Sequence, residues 1–180
     1  MIQCVFVQFS KEDDKMVKDT ILVIDVDVDG IQEIMNILSD SYRICTAGSF
    51  EDALLIIRDI IPELILIDST MSAKDGFDIL EFLKTNDRSS HIPVIFITPL
   101  DNPDFEVRAF DMGSVDYITK PFVPKVVRKR IETQIKLAKY EHKLEELVEE
   151  KVSEIEDMYD IMAISFAGLV ESRDGITGGH

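Results

Sequence analysis

Residues 64–68 read Leu-Ile-Leu-Ile-Asp, and this stretch decides the fold. Four consecutive large apolar residues are typical of a short strand that is buried on both faces, as in a parallel sheet. Three more strand-like runs also lead into polar residues: residues 21–24 into Asp25, residues 94–97 into Thr98, and residues 115–119 into Lys120. In parallel sheets such polar ends meet at one edge, where ligands bind. We therefore expect Asp25, Asp68, Thr98 and Lys120 to form one site.

The segments between these runs have helical spacing. One such face consists of Ile31, Ile34, Met35 and Leu38. The alternation predicts strands near 21–25, 42–47, 63–68, 93–98 and 115–119, and helices near 30–40, 50–60, 76–86, 102–112 and from 124 onward. Strict alternation with short connections indicates parallel strands joined by right-handed helical crossovers. The predicted fold is a doubly wound α/β domain with a five-stranded parallel sheet over residues 20–137, of flavodoxin-like type.

Composition excludes several classes of function. The chain has 35 acidic and 19 basic residues and a formal charge of −16, so we expect no nucleic-acid partner, because phosphate binding needs clustered Lys and Arg. No apolar stretch approaches the roughly 20 residues that cross a bilayer, and we expect no membrane association. The first residues lack the features of a signal peptide, and Cys4 and Cys45 have no metal-ligand spacing. A cytoplasmic location with free thiols is expected.

The last predicted helix continues beyond the domain. No Pro interrupts residues 125–172, and the apolar positions include a regular seam with alternating spacings of four and three residues. The seam residues are Val148, Val152, Ile155, Tyr159, Met162, Phe166 and Leu169. This heptad pattern is typical of a coiled coil, although a long helix folded back on its own domain would also bury an apolar face. We favour the coiled coil, with residues 138–172 as a helical linker that forms a homodimer.

The polar strand ends favour phosphoryl chemistry. Asp25 and Asp68 would hold a hard divalent cation such as Mg²⁺, which prefers oxygen ligands and keeps several waters. A cation beside a carboxylate neutralises charge when that carboxylate accepts a phosphoryl group. Lys120 would pair with the phosphoryl oxygens as a point charge, and the Thr98 hydroxyl would donate a hydrogen bond to them.

Four segments closely resemble the receiver domain of bacterial two-component response regulators. They are residues 21–25 (Ile-Leu-Val-Ile-Asp), residues 62–68 with Met71 and Asp75-Gly76, residues 92–98 (Ile-Pro-Val-Ile-Phe-Ile-Thr), and residues 116–122 (Asp-Tyr-Ile-Thr-Lys-Pro-Phe). The resemblance implies that Asp68 is the phosphoacceptor and takes phosphate from a histidine kinase. It places Asp25 in the Mg²⁺ pocket together with Asp68 and the backbone carbonyl of Thr70.

The same resemblance assigns the remaining site residues. Thr98 and Tyr117 match the switch pair of the family, whose hydroxyl and aromatic ring move together on phosphorylation. Lys120 matches the phosphate-binding lysine, and its bond to Pro121 would be cis, which Pro makes accessible.

The sequence departs from the family at one metal ligand. Receivers carry two adjacent acids after the first strand, whereas here Val26 follows Asp25. Asp27 is the candidate substitute because, in a continuing strand, its side chain would point the same way as that of Asp25. We expect weakened Mg²⁺ binding and slow or absent phosphorylation. Two alternatives stay open: a pseudo-receiver that acts only in protein interaction and dimerisation, and a flavodoxin-like binder of flavin or nucleotide.

The two ends of the chain carry further expectations. Residues 1–19 are expected to be an N-terminal extension. Residues 173–180 read Arg-Asp-Gly-Ile-Thr-Gly-Gly-His, are predicted to leave the helix for a Gly-rich turn, and resemble the opening of HD-GYP domains, which hydrolyse cyclic di-GMP. They are expected to be the truncated start of such an output domain, so the segment itself should have no phosphodiesterase activity.

Overall fold

A computed structural model describes residues 18–71, 73–99 and 103–177 of the chain. It contains five strands that alternate with five helices. They are β1 (Thr20–Ile24), α1 (Val28–Leu38), β2 (Arg43–Ala47), α2 (Phe50–Asp59), β3 (Leu64–Asp68), α3 (Ala73–Thr85), β4 (Val94–Thr98), α4 (Pro103–Asp111), β5 (Asp116–Thr119) and α5 (Pro124–Thr177). The predicted order of elements is confirmed.

The strands form one parallel sheet in the order β2-β1-β3-β4-β5. The chain therefore starts in the interior of the sheet, moves to one edge with β2, returns past β1 and then builds outward to β5. The strand order reverses beside β1 and β3, which is where doubly wound sheets bind their ligands. In register, Ile24 lies opposite Ile67 and Asp68 lies opposite Ile97, so the residues that follow β1 and end β3 are neighbours.

The sheet is covered by helices on both faces, which explains the continuous apolar runs. Successive strand residues point to opposite faces: Leu22, Ile65 and Phe96 pack with residues of α2, α3 and α4. Their neighbours Ile21, Leu66 and Ile95 pack with residues of α1 and α5, including Val127, Ile131 and Ile135. Since every position of β1, β3 and β4 is buried, these strands show no polar alternation in the sequence.

The start of α1 differs from the prediction. The helix begins at Val28 rather than near residue 30, because Asp27 caps its N-terminus and accepts hydrogen bonds from the amides of Asp29 and Gly30. An acid at this position satisfies backbone donors that have no partner within the helix. Helix α3 likewise begins at Ala73, three residues earlier than predicted.

Helix α5 is longer than the sequence pattern indicated. It runs to Thr177, so the turn predicted after Ser172 is wrong up to that residue. The chain divides into two compact units, Met1–Ala138 and Lys139–His180. In the second unit all seven seam residues are about half exposed or more, from 46% at Met162 to 68% at Tyr159. No helix of the described residues is long and apolar enough to cross a membrane.

Two of the predicted segments fall largely or partly outside this description. Most of the extension over residues 1–19 lies outside the described residues, as does the end of segment 173–180, including His180.

Candidate functional site

Two buried carboxylates lie at the carboxyl edge of the sheet. Asp25 follows β1 directly and is 1% exposed, and Asp68 is the last residue of β3 and is fully buried. Burial of a carboxylate is costly unless hydrogen bonds or opposite charges compensate it. The surroundings of both residues supply such partners.

Asp68 is held through both of its oxygens. The Lys120 Nζ donates to Asp68 Oδ2 at 2.6 Å, and both the amide and the hydroxyl of Thr70 donate to Oδ1 at 2.6 Å. Asp25 Oδ2 lies 4.0 Å from the same Lys120 Nζ, and Asp25 Oδ1 accepts from the amide of Asp27 at 2.8 Å. The peptide bond between Lys120 and Pro121 is cis, as predicted. The structure thus brings together the two acids and the lysine.

The two carboxyl groups have opposite pKa shifts. Burial and the negative charge of Asp68 raise the pKa of Asp25 to about 6, although the amide of Asp27 opposes the shift. Burial also acts to raise the pKa of Asp68, but hydrogen bonds from Lys120 and Thr70 outweigh it and the pKa falls below its ordinary value. Asp68 is therefore ionised over the whole physiological pH range.

The two predicted switch residues lie on β4 and β5. Thr98 ends β4 one residue beyond the partner of Asp68, and its side chain is buried. Tyr117 lies opposite Phe96 and is half-buried, with its ring 6.0 Å from Phe110 of α4 in an edge-to-face contact.

The Mg²⁺ that receiver domains typically bind can be tested against these residues. Among the described residues no group of three or more His, Cys, Asp and Glu is arranged to hold a metal. The side-chain donors at the site are the carboxylates of Asp25 and Asp68, and Mg²⁺ is commonly held by one or two carboxylates plus waters. The donor set therefore fits the ion. Val26 is 60% exposed and contributes no donor.

Asp27 does not lie where a continuing strand would place it. Strand β1 ends at Ile24, and the carboxylate of Asp27 caps α1 instead of pointing alongside Asp25. The condition under which Asp27 would point the same way as Asp25, a continuing strand, is therefore not met, because the N-terminus of the helix competes for its side chain.

Two residues of the site were missed in the sequence. Gly30 lies in the first turn of α1, and a methyl group at its Cα would meet Asp25 Oδ2 at 3.0 Å and Lys120 Nζ at 3.2 Å. Arg130 of α5 forms an ion pair with Asp116 and stacks 5.6 Å from the Tyr117 ring. Gly30 could have been identified because a glycine at the start of a predicted helix follows an acidic loop. For Arg130 the sequence offered no indication other than its charge.

Comparison with known proteins gives a consistent result. The model of the response regulator receiver domain matches residues 21–132. A probable cyclic di-GMP phosphodiesterase of Vibrio cholerae is 33% identical over 168 residues, which cover 89% of this chain. The chain spans only 38% of the length of that relative.

Solved structures agree with the fold. NtrX from Brucella abortus is 29% identical with a TM-score of 0.67, over 73% of this chain and 30% of that chain. A putative response regulator from Chloroflexus aurantiacus has a TM-score of 0.63 at 22% identity, over 66% of this chain and 98% of that one. The latter similarity shows the fold alone.

Proposed function

This chain belongs to the response regulator receiver domain family, and on that basis we propose that Asp68 accepts a phosphoryl group from a histidine kinase. Receiver domains are modules of two-component signalling that interact with such kinases. One observation carries the assignment to Asp68: its buried carboxylate is ionised and contacts Lys120 at 2.6 Å beside a second buried acid, Asp25. A purely structural ion pair would not need the second acid, whose burial raises its pKa.

The transfer follows from the contacts of Asp68. A carboxylate oxygen of Asp68 attacks phosphorus, the bond from phosphorus to the histidine nitrogen breaks, and that nitrogen keeps the electron pair. The Lys120 ammonium, now paired with Asp68 Oδ2, then faces the charge that develops on the phosphoryl oxygens. We expect the hydroxyl of Thr98, at the adjacent strand end, to donate a hydrogen bond to the phosphorylated product and to move together with the Tyr117 ring.

Mg²⁺ would be held by Asp25, Asp68 and the backbone carbonyl of Thr70. When bound it neutralises negative charge around the in-line transition state. Because position 26 holds Val in place of an acid, we expect the affinity for Mg²⁺ and the rate of phosphorylation to be lower than in receivers with both acids.

Labelling with acetyl phosphate tests this function. In the presence of Mg²⁺ we expect one slowly formed acyl phosphate per chain, measured by the mass of the intact protein, and none in Asp68→Asn. Label that persists in Asp68→Asn would contradict the assignment. Labelling and Mg²⁺ affinity at ordinary receiver values would contradict the predicted effect of Val26.

A second candidate function is that of a pseudo-receiver. Val26 favours it, because the missing ligand weakens the pocket that activates Asp68. It predicts that wild-type protein remains unlabelled at saturating Mg²⁺, whereas the intact set of Asp68, Lys120 and Thr98 supports the phosphorylated form. The flavodoxin-like binder has no such support, and a colourless purified protein would exclude bound flavin.

We further propose that the signal passes through α5 to a cyclic di-GMP phosphodiesterase. The similarity to the Vibrio cholerae relative extends over 168 residues, well beyond the receiver match at residues 21–132. The Arg-Asp-x-x-Thr-Gly-x-His string at residues 173–180 supports the same output. Residues 1–180 alone should not hydrolyse cyclic di-GMP. A longer gene product without a His-Asp pair and a Gly-Tyr-Pro motif after His180 would overturn the assignment.

The remaining proposals concern partners and location. The exposed seam of α5 supports a homodimer through a coiled coil, because its apolar side chains would be buried between two copies. The charge of −16 supports the absence of a nucleic-acid partner. A cytoplasmic location, without membrane association, fits a receiver that meets a kinase.

A further inference from the structure

The first turn of α1 faces the acid pocket through a gap at Gly30. A side chain of even one carbon at Gly30 would lie 3.0 Å from Asp25 Oδ2, 3.2 Å from Asp27 Oδ2 and 3.2 Å from Lys120 Nζ. These distances are shorter than most real contacts of a Cβ atom, so the neighbouring groups would have to move. Three charged groups, two from the connection between β1 and α1 and one from the loop after β5, therefore surround the space that glycine leaves open.

Glycine is a poor choice at this position for the helix itself. Within a helix, Gly is less favourable than Ala by about 1 kcal/mol, and Gly30 has no positive φ that would require it. Local backbone geometry therefore does not account for the residue. The charged groups that surround the position of a Cβ atom explain why this residue is glycine.

Negative charges also outnumber positive charges around this gap. Asp25, Asp27 and Asp68 contribute three negative charges when ionised, and Lys120 contributes one positive charge. A divalent cation would balance the remainder. The Asp27 Oδ2 atom lies 3.2 Å from the position of that Cβ, and the Asp27 carboxylate caps α1 through long hydrogen bonds of 3.2 and 3.3 Å. Mg²⁺ keeps several of its waters, so a carboxylate that does not touch the ion can still stabilise it through bound water.

We propose that Gly30 is a positioning residue of the Mg²⁺ pocket in this chain, because Asp25, Lys120 and the capping carboxylate of Asp27 all border the gap it leaves, so that Asp27 can replace the charge of the carboxylate absent at Val26. This inference rests on the proposed function, since it takes Mg²⁺ as the cation. Asp27 acts through water and Gly30 acts by the space it leaves. The second acid of the pocket is thus Asp27, one residue later in the chain than in receivers with two adjacent acids.

Calorimetric titration of the metal-free protein with MgCl₂ tests this without reference to phosphorylation. Asp27→Asn keeps a good N-cap and should weaken Mg²⁺ binding by about tenfold, given one unit charge near a divalent ion. Asp29→Asn, the matched change in the same turn at an exposed position, should alter it less than about twofold. Equal effects of the two variants would overturn the role of Asp27.

The role of Gly30 has its own control. Gly30→Ala should weaken Mg²⁺ binding by about tenfold, because the added Cβ displaces the charged groups around the gap, and urea unfolding of the metal-free variant checks that it is folded. Gly168→Ala, where an added Cβ meets nothing within 4 Å, should leave the affinity unchanged. Unchanged affinity in Gly30→Ala would overturn the proposal.

A rescue experiment separates this inference from the proposed function. Val26→Asp combined with Asp27→Asn should restore the affinity of the wild type or exceed it, and failure to do so would contradict the replacement of one acid by the other. If the wild type binds Mg²⁺ with this pattern but acetyl phosphate does not label Asp68, the proposed function fails and the inference stands. If the wild type binds no Mg²⁺ but is labelled, the inference fails and Asp68 remains the phosphoacceptor.

Discussion

Single residues set the strength of this site more than the fold does. The strand ends bring together Asp25, Asp68 and Lys120, yet Val26 follows Asp25 where we expect a receiver to carry a second acidic ligand. Its side chain is 60% exposed next to the acid pocket, so it is not required by the core. A substitution here should change the chemistry of the site and leave the core unchanged.

Val26→Asp should therefore strengthen the metal site. We expect Mg²⁺ affinity to rise about tenfold, which corresponds to about 1.4 kcal/mol, and labelling by acetyl phosphate to become faster. Calorimetric titration and the time course of the mass change measure the two effects. Val28→Asp places the same charge on the exposed first residue of α1 and should have little effect. An equal gain in both variants would point to general charge rather than to a ligand at position 26.

Asp25 gives a prediction about pH. Its pKa in the folded protein is about 6, compared with an ordinary value of 3.8. The folded state thus binds its proton more tightly, so this group contributes stability below pH 3.8 that is lost as the pH rises to about 6. In metal-free protein, Asp25→Asn should abolish this decrease in stability with rising pH, because Asn does not ionise. We expect it to raise the free energy of unfolding by on the order of 1–3 kcal/mol above pH 6.5, with the gain vanishing near pH 4.

Urea unfolding at several pH values measures this difference between variant and wild type. Asp29→Asn makes the same charge change at an exposed position and should not reproduce this gain. A gain for Asp25→Asn that does not depend on pH would contradict the explanation from burial.

Individual helices begin where a side chain caps the free backbone amides, and α4 ends where a glycine lets the chain turn. Asp27 and Ser49 cap the starts of α1 and α2. At the end of α4, the amide of Ser114 bonds to the carbonyl of Ala109 and that of Gly113 to the carbonyl of Phe110, which is a Schellman motif. Gly113 has φ of +97°, and this left-handed conformation is what turns the chain from α4 into β5.

Gly113→Ala should destabilise the protein by about 1–2 kcal/mol, because a Cβ is disfavoured in the left-handed region. The stem of Lys84 also lies 3.4 Å from the position of the new Cβ. The urea midpoint reports the change. Gly48→Ala, where a Cβ would meet nothing within 4 Å, should be neutral, and equal losses for both glycines would contradict the conformational cause.

The molecule as a whole consists of two units that differ in how their apolar side chains are buried. The first has a core on both faces of its sheet. Over residues 139–169 the second is a stretch of helix whose apolar side chains are exposed in the single chain. A helix of this kind gains its stability from packing against another surface rather than from its own propensity. We expect a second copy to supply that surface.

Oligomeric state tests the seam directly. Ile155→Glu with Met162→Glu places two charges in the seam and should raise the dissociation constant of the dimer on the order of a hundredfold, about 2.7 kcal/mol. Ile161→Glu with Ile164→Glu makes a matched change at exposed positions off the seam and should remain dimeric. Light scattering with size-exclusion chromatography gives the mass of each. A seam variant that stays dimeric would show that the copies associate elsewhere.

The sequence by itself determined the elements and their order. Burial on both faces leaves continuous apolar runs, so local pattern alone located the ends of β1, β3 and β4 to within one residue. Burial on one face of a helix leaves its period, which located the helices between the strands. The placement of Asp25, Asp68 and Lys120 at one edge followed, since parallel strands present their carboxyl ends together.

Only the tertiary structure decided what those residues touch. Lys120 and Asp68 are 52 residues apart in the chain, and the role of Gly30 depends on atoms of Asp25, Asp27 and Lys120 that meet around an absent side chain. The same holds for Arg130, whose partner Asp116 is on another element, and for Asp27, which the N-terminus of α1 draws into its cap. Periodicity in a sequence records how much of each residue is buried, whereas such contacts depend on the packing of elements against one another.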